Sequence, residues 1–139
     1  MTLTLRMRSP GRTRSPAGAR MLMAMLAAGF GACAAPALQP GEPRAVDRLV
    51  IAPYARHETC AQLTAGDRLD YRYESSDALD FEIHYREDAA VLSPIVREQS
   101  TSDSGIFEPR ATREYCLAWQ AGAPGAIIAY RILLRRAAR

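Results

Sequence analysis

The middle of the chain alternates between apolar and polar positions, and this pattern predicts β-strands. Every second residue is apolar in 69–73 and again in 79–85, while the residues between them are charged or polar. A period of two over such lengths is typical of a strand with one buried and one solvated face. Shorter runs predict further strands at 46–52, 58–63, 91–96, 105–109, 113–120 and 126–134. Seven or eight short strands separated by turn residues favour an all-β fold, an antiparallel β-sandwich.

Polar segments are predicted to divide these strands. Residues 75–77 (Ser-Ser-Asp) are predicted to form a turn, and the polar residues 97–104 are predicted to form a mobile loop. Pro94 lies inside the run 91–96, and a proline cannot donate a hydrogen bond to a neighbouring strand. We therefore expect this run to be an edge strand or to contain a bend.

The first 32 residues follow a different pattern, which predicts a signal peptide. Arginines at positions 6, 8, 12, 14 and 20 precede the apolar run 21–28, and small residues follow it. A positive start, a short apolar segment and a small-residue end are typical of an export signal. The apolar run is also shorter than the roughly 20 residues that a membrane-spanning helix needs.

Cys33 directly follows the predicted signal peptide, residues 1–32. Residues 30–33 (Phe-Gly-Ala-Cys) resemble the processing site of bacterial lipoproteins, whose cysteine is lipidated and becomes the new amino terminus. This predicts a membrane anchor on Cys33 and a location at the periplasmic face of the cell envelope. Ordinary cleavage after Ala34, giving a secreted or soluble periplasmic protein, is the alternative. The proline-rich residues 33–45 are predicted to be a flexible tether, residues 46–136 the β-domain, and residues 137–139 a short tail.

Removal of the signal peptide changes the charge of the chain. The whole sequence has a formal net charge of +3, but five of its arginines lie in residues 1–32. The remaining thirteen arginines stand against fifteen acidic residues, which leaves a net charge of −2. A nucleic-acid-binding domain needs a basic patch on its folded surface. The predicted partners therefore do not include nucleic acid.

The cysteines divide in the same way. The chain has three, and the predicted lipid anchor accounts for Cys33. Cys60 and Cys116 remain, and two cysteines left in an exported domain usually form a disulfide bond. Such a bond closes a long loop, which predicts a stabilisation of about 3–4 kcal/mol on the chain-entropy estimate.

Four segments of the β-domain resemble a known family. They are GDRLDYRY (66–73), LDFEIHY (79–85), GIF (105–107) and EYCLAW (114–119). Their order is similar to that of the GOLD (Golgi dynamics) β-sandwich and related bacterial secreted domains. The resemblance implies the sandwich fold, a generic interaction role and a disulfide between the Tyr-Cys strand and an upstream cysteine, here Cys60. It implies no catalytic residues.

The polar residues suggest two candidate kinds of site. The first is a metal site, because histidine and cysteine are zinc ligands; the candidates are His57, Cys60, His84 and Cys116. The alternative is the disulfide with two surface histidines. The second is glycoside hydrolysis, which needs two carboxylates at a cleft. Asp80 and Glu82 share a strand face, but strand alternation alone predicts acids there. We predict no catalytic residues and no cofactor.

The direction of the side chains around Cys116 decides one further prediction. If Cys116 points inward to meet Cys60, then Tyr115 and Trp119 point outward and form a candidate contact patch. The leading prediction is a non-enzymatic envelope module, binding or structural, that interacts with protein or glycan. The alternative prediction is a periplasmic metal carrier or sensor that uses the two histidines and the two cysteines.

Overall fold

A computed structural model describes residues 37–138 of the chain, and this part is all-β with no helix. These residues therefore contain no helix that could cross a membrane. Its six strands are β1 (Pro43–Ile51), β2 (Arg56–Leu63), β3 (Arg68–Glu87), β4 (Ala90–Phe107), β5 (Arg113–Ala121) and β6 (Ala126–Arg135).

The strands form one curled antiparallel sheet, a half-barrel, in the order β1-β6-β3-β5-β2. Strand β3 connects the two halves of the sheet. Its first part, 68–75, pairs with β6, and its last part, 79–85, pairs with β5. Strand β4 runs along the opposite edge of β3. At the two ends of the strand order, Arg44 Nη1 on β1 donates to Thr59 Oγ1 on β2 at 3.1 Å.

The observed strands are fewer and longer than predicted. The predicted turn 75–77 lies inside the 20-residue β3, and the predicted loop 97–104 lies inside the 18-residue β4. The described part of the chain therefore has six strands in one sheet where the pattern predicted a sandwich of seven or eight. The polar residues of β4 are compatible with a strand because they lie at a solvent-exposed edge, where charged and polar side chains protect the sheet.

Irregular pairing explains why the long hairpin β3–β4 bends. Glu74 pairs with Ser102 and Leu79 with Ser100, so that β3 has three more residues than β4 in this interval. Extra residues of this kind bend a strand and increase its twist. A second irregularity lies near Gln99, which has a φ of 49° and whose backbone N–H donates to Asp80 Oδ1 at 2.9 Å. The predicted turn is thus a bend in a continuous strand.

The domain begins earlier than predicted at its amino-terminal side. Strand β1 starts at Pro43 rather than at residue 46, and Leu38 is buried in the core. Gly41 N–H donates to the carbonyl of Leu134 at 2.8 Å, and Pro40 forms a bridge with the same residue. Residues 38–45 of the predicted tether therefore pack on the domain. The predicted signal peptide and Cys33 lie outside the described residues.

The buried carboxylate of Asp67 joins residues 136–137 to the β2–β3 turn by hydrogen bonds. Asp67 accepts hydrogen bonds from Thr64 N–H at 2.8 Å, Ala137 N–H at 3.0 Å and Arg136 Nη1 at 2.6 Å. Burial raises the pKa of Asp67, but these donors outweigh it and lower that pKa to about 2. Ala137, predicted to belong to the tail, is therefore part of the folded domain.

The alternating apolar residues form the core, as the pattern predicted. Aromatic rings fill the middle of the half-barrel: Phe81 packs against Tyr73 with ring centroids 4.8 Å apart and against Trp119 at 5.4 Å. Gly105 pairs with Tyr71, and a Cβ at this glycine would lie 2.9 Å from Tyr71 Oη. The fully buried apolar side chains of β3 are Leu69, Tyr73, Leu79, Phe81 and Ile83.

Candidate functional site

Two rows of side chains cross the strands β2, β5 and β3 on opposite faces of the sheet. The inner row consists of His57, Trp119 and Phe81, which are cross-strand neighbours. The His57 and Trp119 rings stack with centroids 5.7 Å apart, and His57 Nε2 lies 3.3 Å from Tyr130 Oη. Burial, followed by the charge of Arg44, lowers the pKa of His57. This histidine therefore belongs to the margin of the aromatic core.

The outer row consists of Cys60, Cys116 and His84, also cross-strand neighbours. Each is three positions from its inner-row counterpart on the same strand. Because side chains alternate between faces, an odd separation places the two rows on opposite sides of the sheet. The predicted disulfide is confirmed: Cys60 and Cys116 are bonded, with their Cα atoms 4.0 Å apart.

The disulfide lies on the outer face, and this reverses the predicted orientation of its neighbours. Tyr115 and Trp119 point into the core and are 3% and 1% exposed. The predicted contact patch formed by these two residues is therefore wrong. The prediction assumed that Cys116 points inward, whereas in a half-barrel the bond between adjacent strands can form on the outside. Within residues 37–138, Trp119 Nε1 has no hydrogen-bond partner.

Charged groups surround the imidazole of His84, whose side chain is 8% exposed. Its Nε2 lies 3.5 Å from Glu58 Oε1, and its Nδ1 lies 3.5 Å from Glu82 Oε1 and 3.3 Å from Arg56 Nη2. Arg56 also pairs with Glu82 at 2.6 Å. Burial raises the pKa of Glu82, but hydrogen bonds from Arg56 and Ser93 outweigh it and hold that pKa below its usual range. These contacts fix the orientation of the imidazole ring.

The predicted four-residue metal set is not brought together. His57 lies on the inner face, so it cannot share an ion with the outer row, and the bonded cysteines offer no thiolates. One atom each from Glu58, His84 and Cys116 lies within 4.8 Å of the others, so Glu58 takes the place expected of His57. The sequence contained a signal for this, because Glu58 is two positions from Cys60 and shares its face.

The two carboxylates considered for glycoside hydrolysis are bound to protein groups. Asp80 Oδ1 accepts from the backbone and side-chain nitrogens of Gln99 at 2.9 and 3.1 Å. Glu82 accepts from Arg56 and from Ser93 Oγ, the latter at 2.7 Å. Asp80 therefore binds Gln99 at the second irregularity of the β3–β4 pairing. Glu82 belongs to the charged groups around His84.

A groove on the inner face, one position along β3 and β5 from the outer row, is the best candidate for binding a partner. It has a volume of about 490 Å³ and lies beside the β4–β5 connection. Three aromatic residues form its floor; Tyr85 and Tyr115 have ring centroids 5.2 Å apart, and Phe107 and Tyr115 are 5.1 Å apart. Pro94 and Ile95 of β4 line its side. We call this the Tyr85 groove.

The rim of the Tyr85 groove is charged. Arg113 pairs with Glu87, and its guanidinium carbon lies 5.3 Å from the centre of the Tyr85 ring. Arg110 and Glu108 also line the groove. Tyr115 Oη donates to the carbonyl of Ala111 at 3.2 Å, which ties the floor to the β4–β5 connection. An apolar aromatic floor with charged groups at its edge can bind an apolar group and orient its polar neighbours.

No protein-family model matches the chain, and no curated protein matches it in sequence. The geometry of the Tyr85 groove and of the outer row is therefore the basis for the proposals below.

Proposed function

We propose that this chain is a non-enzymatic binding module of the cell envelope and that its partner is a protein, bound in the Tyr85 groove. The groove is the observation that carries the proposal. Ligand sites are typically concave and apolar with a few convergent polar groups. The aromatic floor and charged rim fit this description.

The GOLD-like character is part of the proposal. Two of the segments on which the resemblance rests contribute to the groove: Phe107 comes from the Gly-x-Phe segment and Tyr115 from the Tyr-Cys segment. This placement supports an interaction role, because both segments meet at one concave surface.

The surface beside the groove favours a protein over a glycan. Leu92 pairs with Tyr85 on the same side of the sheet and is 39% exposed. Val91 and Val96, on the other face of the same strand end, are 52% and 47% exposed. Apolar side chains on both faces of an edge strand are typical of a surface that another polypeptide covers. A glycan would use the aromatic floor but gains little from these aliphatic groups.

Site-specific photo-cross-linking in the native envelope tests the partner. A photoreactive phenylalanine analogue replaces Leu92, and the matched control carries it at Val50, which is 69% exposed on β1, a strand that does not line the groove. We expect a discrete protein adduct from position 92 and none from position 50. Equal adducts at both positions, or none at position 92, would contradict the proposal. Loss of the adduct after glycan digestion would identify a glycan partner instead.

We also propose that the module is attached to the membrane through a lipid on Cys33. The processing-site pattern at residues 30–33 supports this, and so does the exported setting that suits the disulfide. The intact mass of the processed protein tests it, with a diacylglyceryl-sized increase expected at Cys33. A mature chain that begins at Ala35 without this increase would instead support ordinary cleavage after Ala34.

A further inference from the structure

The outer row and the nearby Glu58 together offer four potential metal ligands, and the two cysteines among them are bonded to each other. Glu58, His84 and Cys116 have ligand atoms within 4.8 Å of one another. The fourth, Cys60, is bonded to Cys116, and its sulfur lies 3.3 Å from Glu58 Oε1. Two sulfurs, an imidazole and a carboxylate are a suitable donor set for a tetrahedral zinc site. In the disulfide form the sulfurs are not thiolates, and the set is incomplete.

We propose that reduction of the Cys60–Cys116 disulfide creates a binding site for a thiophilic divalent cation such as Zn²⁺. A dithiol reductant supplies two electrons and two protons; the S–S bond breaks, two thiols form on the protein, and the reductant becomes a disulfide. The cation then binds the two thiolates, His84 and Glu58 and releases the thiol protons. The reduced protein would thus bind the cation, and the oxidised protein would not.

His84 is held in the manner of a metal ligand. Metal-bound histidines usually donate their second ring N–H to a carboxylate, which fixes the tautomer. Here Nε2 faces Glu58, a member of the ligand set, while Nδ1 lies 3.5 Å from Glu82 Oε1 and 3.3 Å from Arg56 Nη2. Because Arg56 can only donate, its contact makes Nδ1 an acceptor in the oxidised protein. When Nε2 binds the cation, Nδ1 carries the ring proton and donates it to Glu82, and the Arg56 guanidinium moves away from Nδ1. Arg56 forms ion pairs with both Glu58 and Glu82, so its positive charge partly offsets their negative charges.

The ligand set is also accessible. A concavity of about 350 Å³ opens over it, lined by Cys60, Cys116, His84, Glu58 and three neighbouring residues. The cysteines are direct neighbours on adjacent strands, so no loop has to move to bring them together. Ligand atoms around a tetrahedral zinc ion lie roughly 3.3–3.8 Å apart, so the reduced side chains reach this spacing by small rotations.

Cobalt titration tests the proposal, because Co²⁺ replaces Zn²⁺ and gives a sulfur-to-cobalt charge-transfer band when thiolates bind it. The full chain is titrated in its oxidised form and after reduction with a phosphine, which avoids competing thiols. We expect one Co²⁺ per reduced chain with this band, at least tenfold weaker binding in His84→Gln and Glu58→Gln, and no band in the oxidised protein. His57→Gln is the matched control, since it removes the chain's other histidine from the opposite face.

Three results would overturn the proposal. The first is no cobalt binding by the reduced chain. The second is equal affinity in His84→Gln and in the unaltered protein, because thiols alone would then suffice. The third concerns folding: if reduction unfolds the chain, we expect Zn²⁺ to restore its circular dichroism in the unaltered protein and in His57→Gln but not in His84→Gln. Failure of Zn²⁺ to do so would contradict a site that belongs to this fold.

Discussion

The two faces of the sheet at β2, β5 and β3 have different chemistry, although the two rows lie only three positions apart on each strand. The inner row, with His57, Trp119 and Phe81, belongs to the aromatic core. The outer row holds the disulfide and His84 among charged groups. The comparison shows that strand register places His57 of β2 in a packing role on the inner face and His84 of β3 in a polar cluster on the outer face. Residue type and spacing alone could not tell them apart.

The largest effect is expected on the inner face. Phe81→Ala removes a fully buried ring that contacts Tyr73 and Trp119, and we expect it to lower the free energy of unfolding by about 3–5 kcal/mol. Urea denaturation monitored by circular dichroism measures this. Ile106→Ala, at an exposed position, is the control and should change stability by less than about 0.5 kcal/mol. Similar losses in both variants would contradict the assignment of Phe81 to the core.

The outer face is expected to contribute stability mainly through its covalent bond. The double substitution Cys60→Ser and Cys116→Ser opens a link with a sequence separation of 56 residues, and we expect a loss of about 2–4 kcal/mol. Chemical reduction of the unaltered protein should give a loss of similar size in the same denaturation assay. If the double variant is as stable as the oxidised protein, the disulfide has no stabilising role and the outer face depends on other contacts.

Asp67, a buried carboxylate away from both rows, allows the stability contributed by a buried charge to be compared with that of the half-exposed ion pairs on the outer face. Asp67 has a pKa of about 2 in the folded chain against 3.8 ordinarily, so its stabilisation is complete above pH 3.8 and is lost as the pH falls towards 2. We expect Asp67→Asn to cost about 2–3 kcal/mol at neutral pH. This difference between the variant and the unaltered protein should shrink when unfolding is measured at pH 2–3. A difference that stays constant across this range would show that Asp67 acts through packing rather than charge.

The smallest effect is expected from protonation of the inner-row histidine. Because the pKa of His57 is lowered in the folded chain, the unfolded chain binds a proton more readily. Stability should therefore decrease as the pH falls below about 6.5, the ordinary value for histidine. We expect His57→Gln to remove this part of the pH dependence in thermal unfolding between pH 5 and 8. His84→Gln, on the opposite face, should retain it; loss of the same slope in both variants would mean that the two faces are not distinct in this respect.

The strand pattern predicted more of the fold than of the candidate sites. Alternation identified the buried faces at 69–73 and 79–85 correctly, because one face of each segment packs in the core. It did not predict that 75–77 is a bend within β3 or that 97–104 is an edge strand. Serine and aspartate are typical of turns, but here they lie where β3 bends and where β4 faces solvent. Cross-strand pairing, which is non-local, decides between these outcomes.

The predictions of the candidate sites were limited in the same way, because contacts between distant residues decide where each side chain lies. The disulfide was predicted from the number of cysteines together with the predicted export signal, and the structure confirms the bond. Its placement on the outer face was not predicted, and the proposed patch of Tyr115 and Trp119 was wrong for that reason. The Tyr85 groove was missed, because its floor combines residues of β3, β4 and β5 that are distant in sequence.

The sequence by itself determined that the domain is all-β, which positions are apolar and which two cysteines are bonded. These properties depend on composition and on the period of two along each strand. The tertiary structure alone decided which face each row occupies and which distant residues meet at the groove. The physical reason is that side-chain alternation fixes relative orientation within a strand. The curl of the sheet and the register between strands determine which side becomes the core.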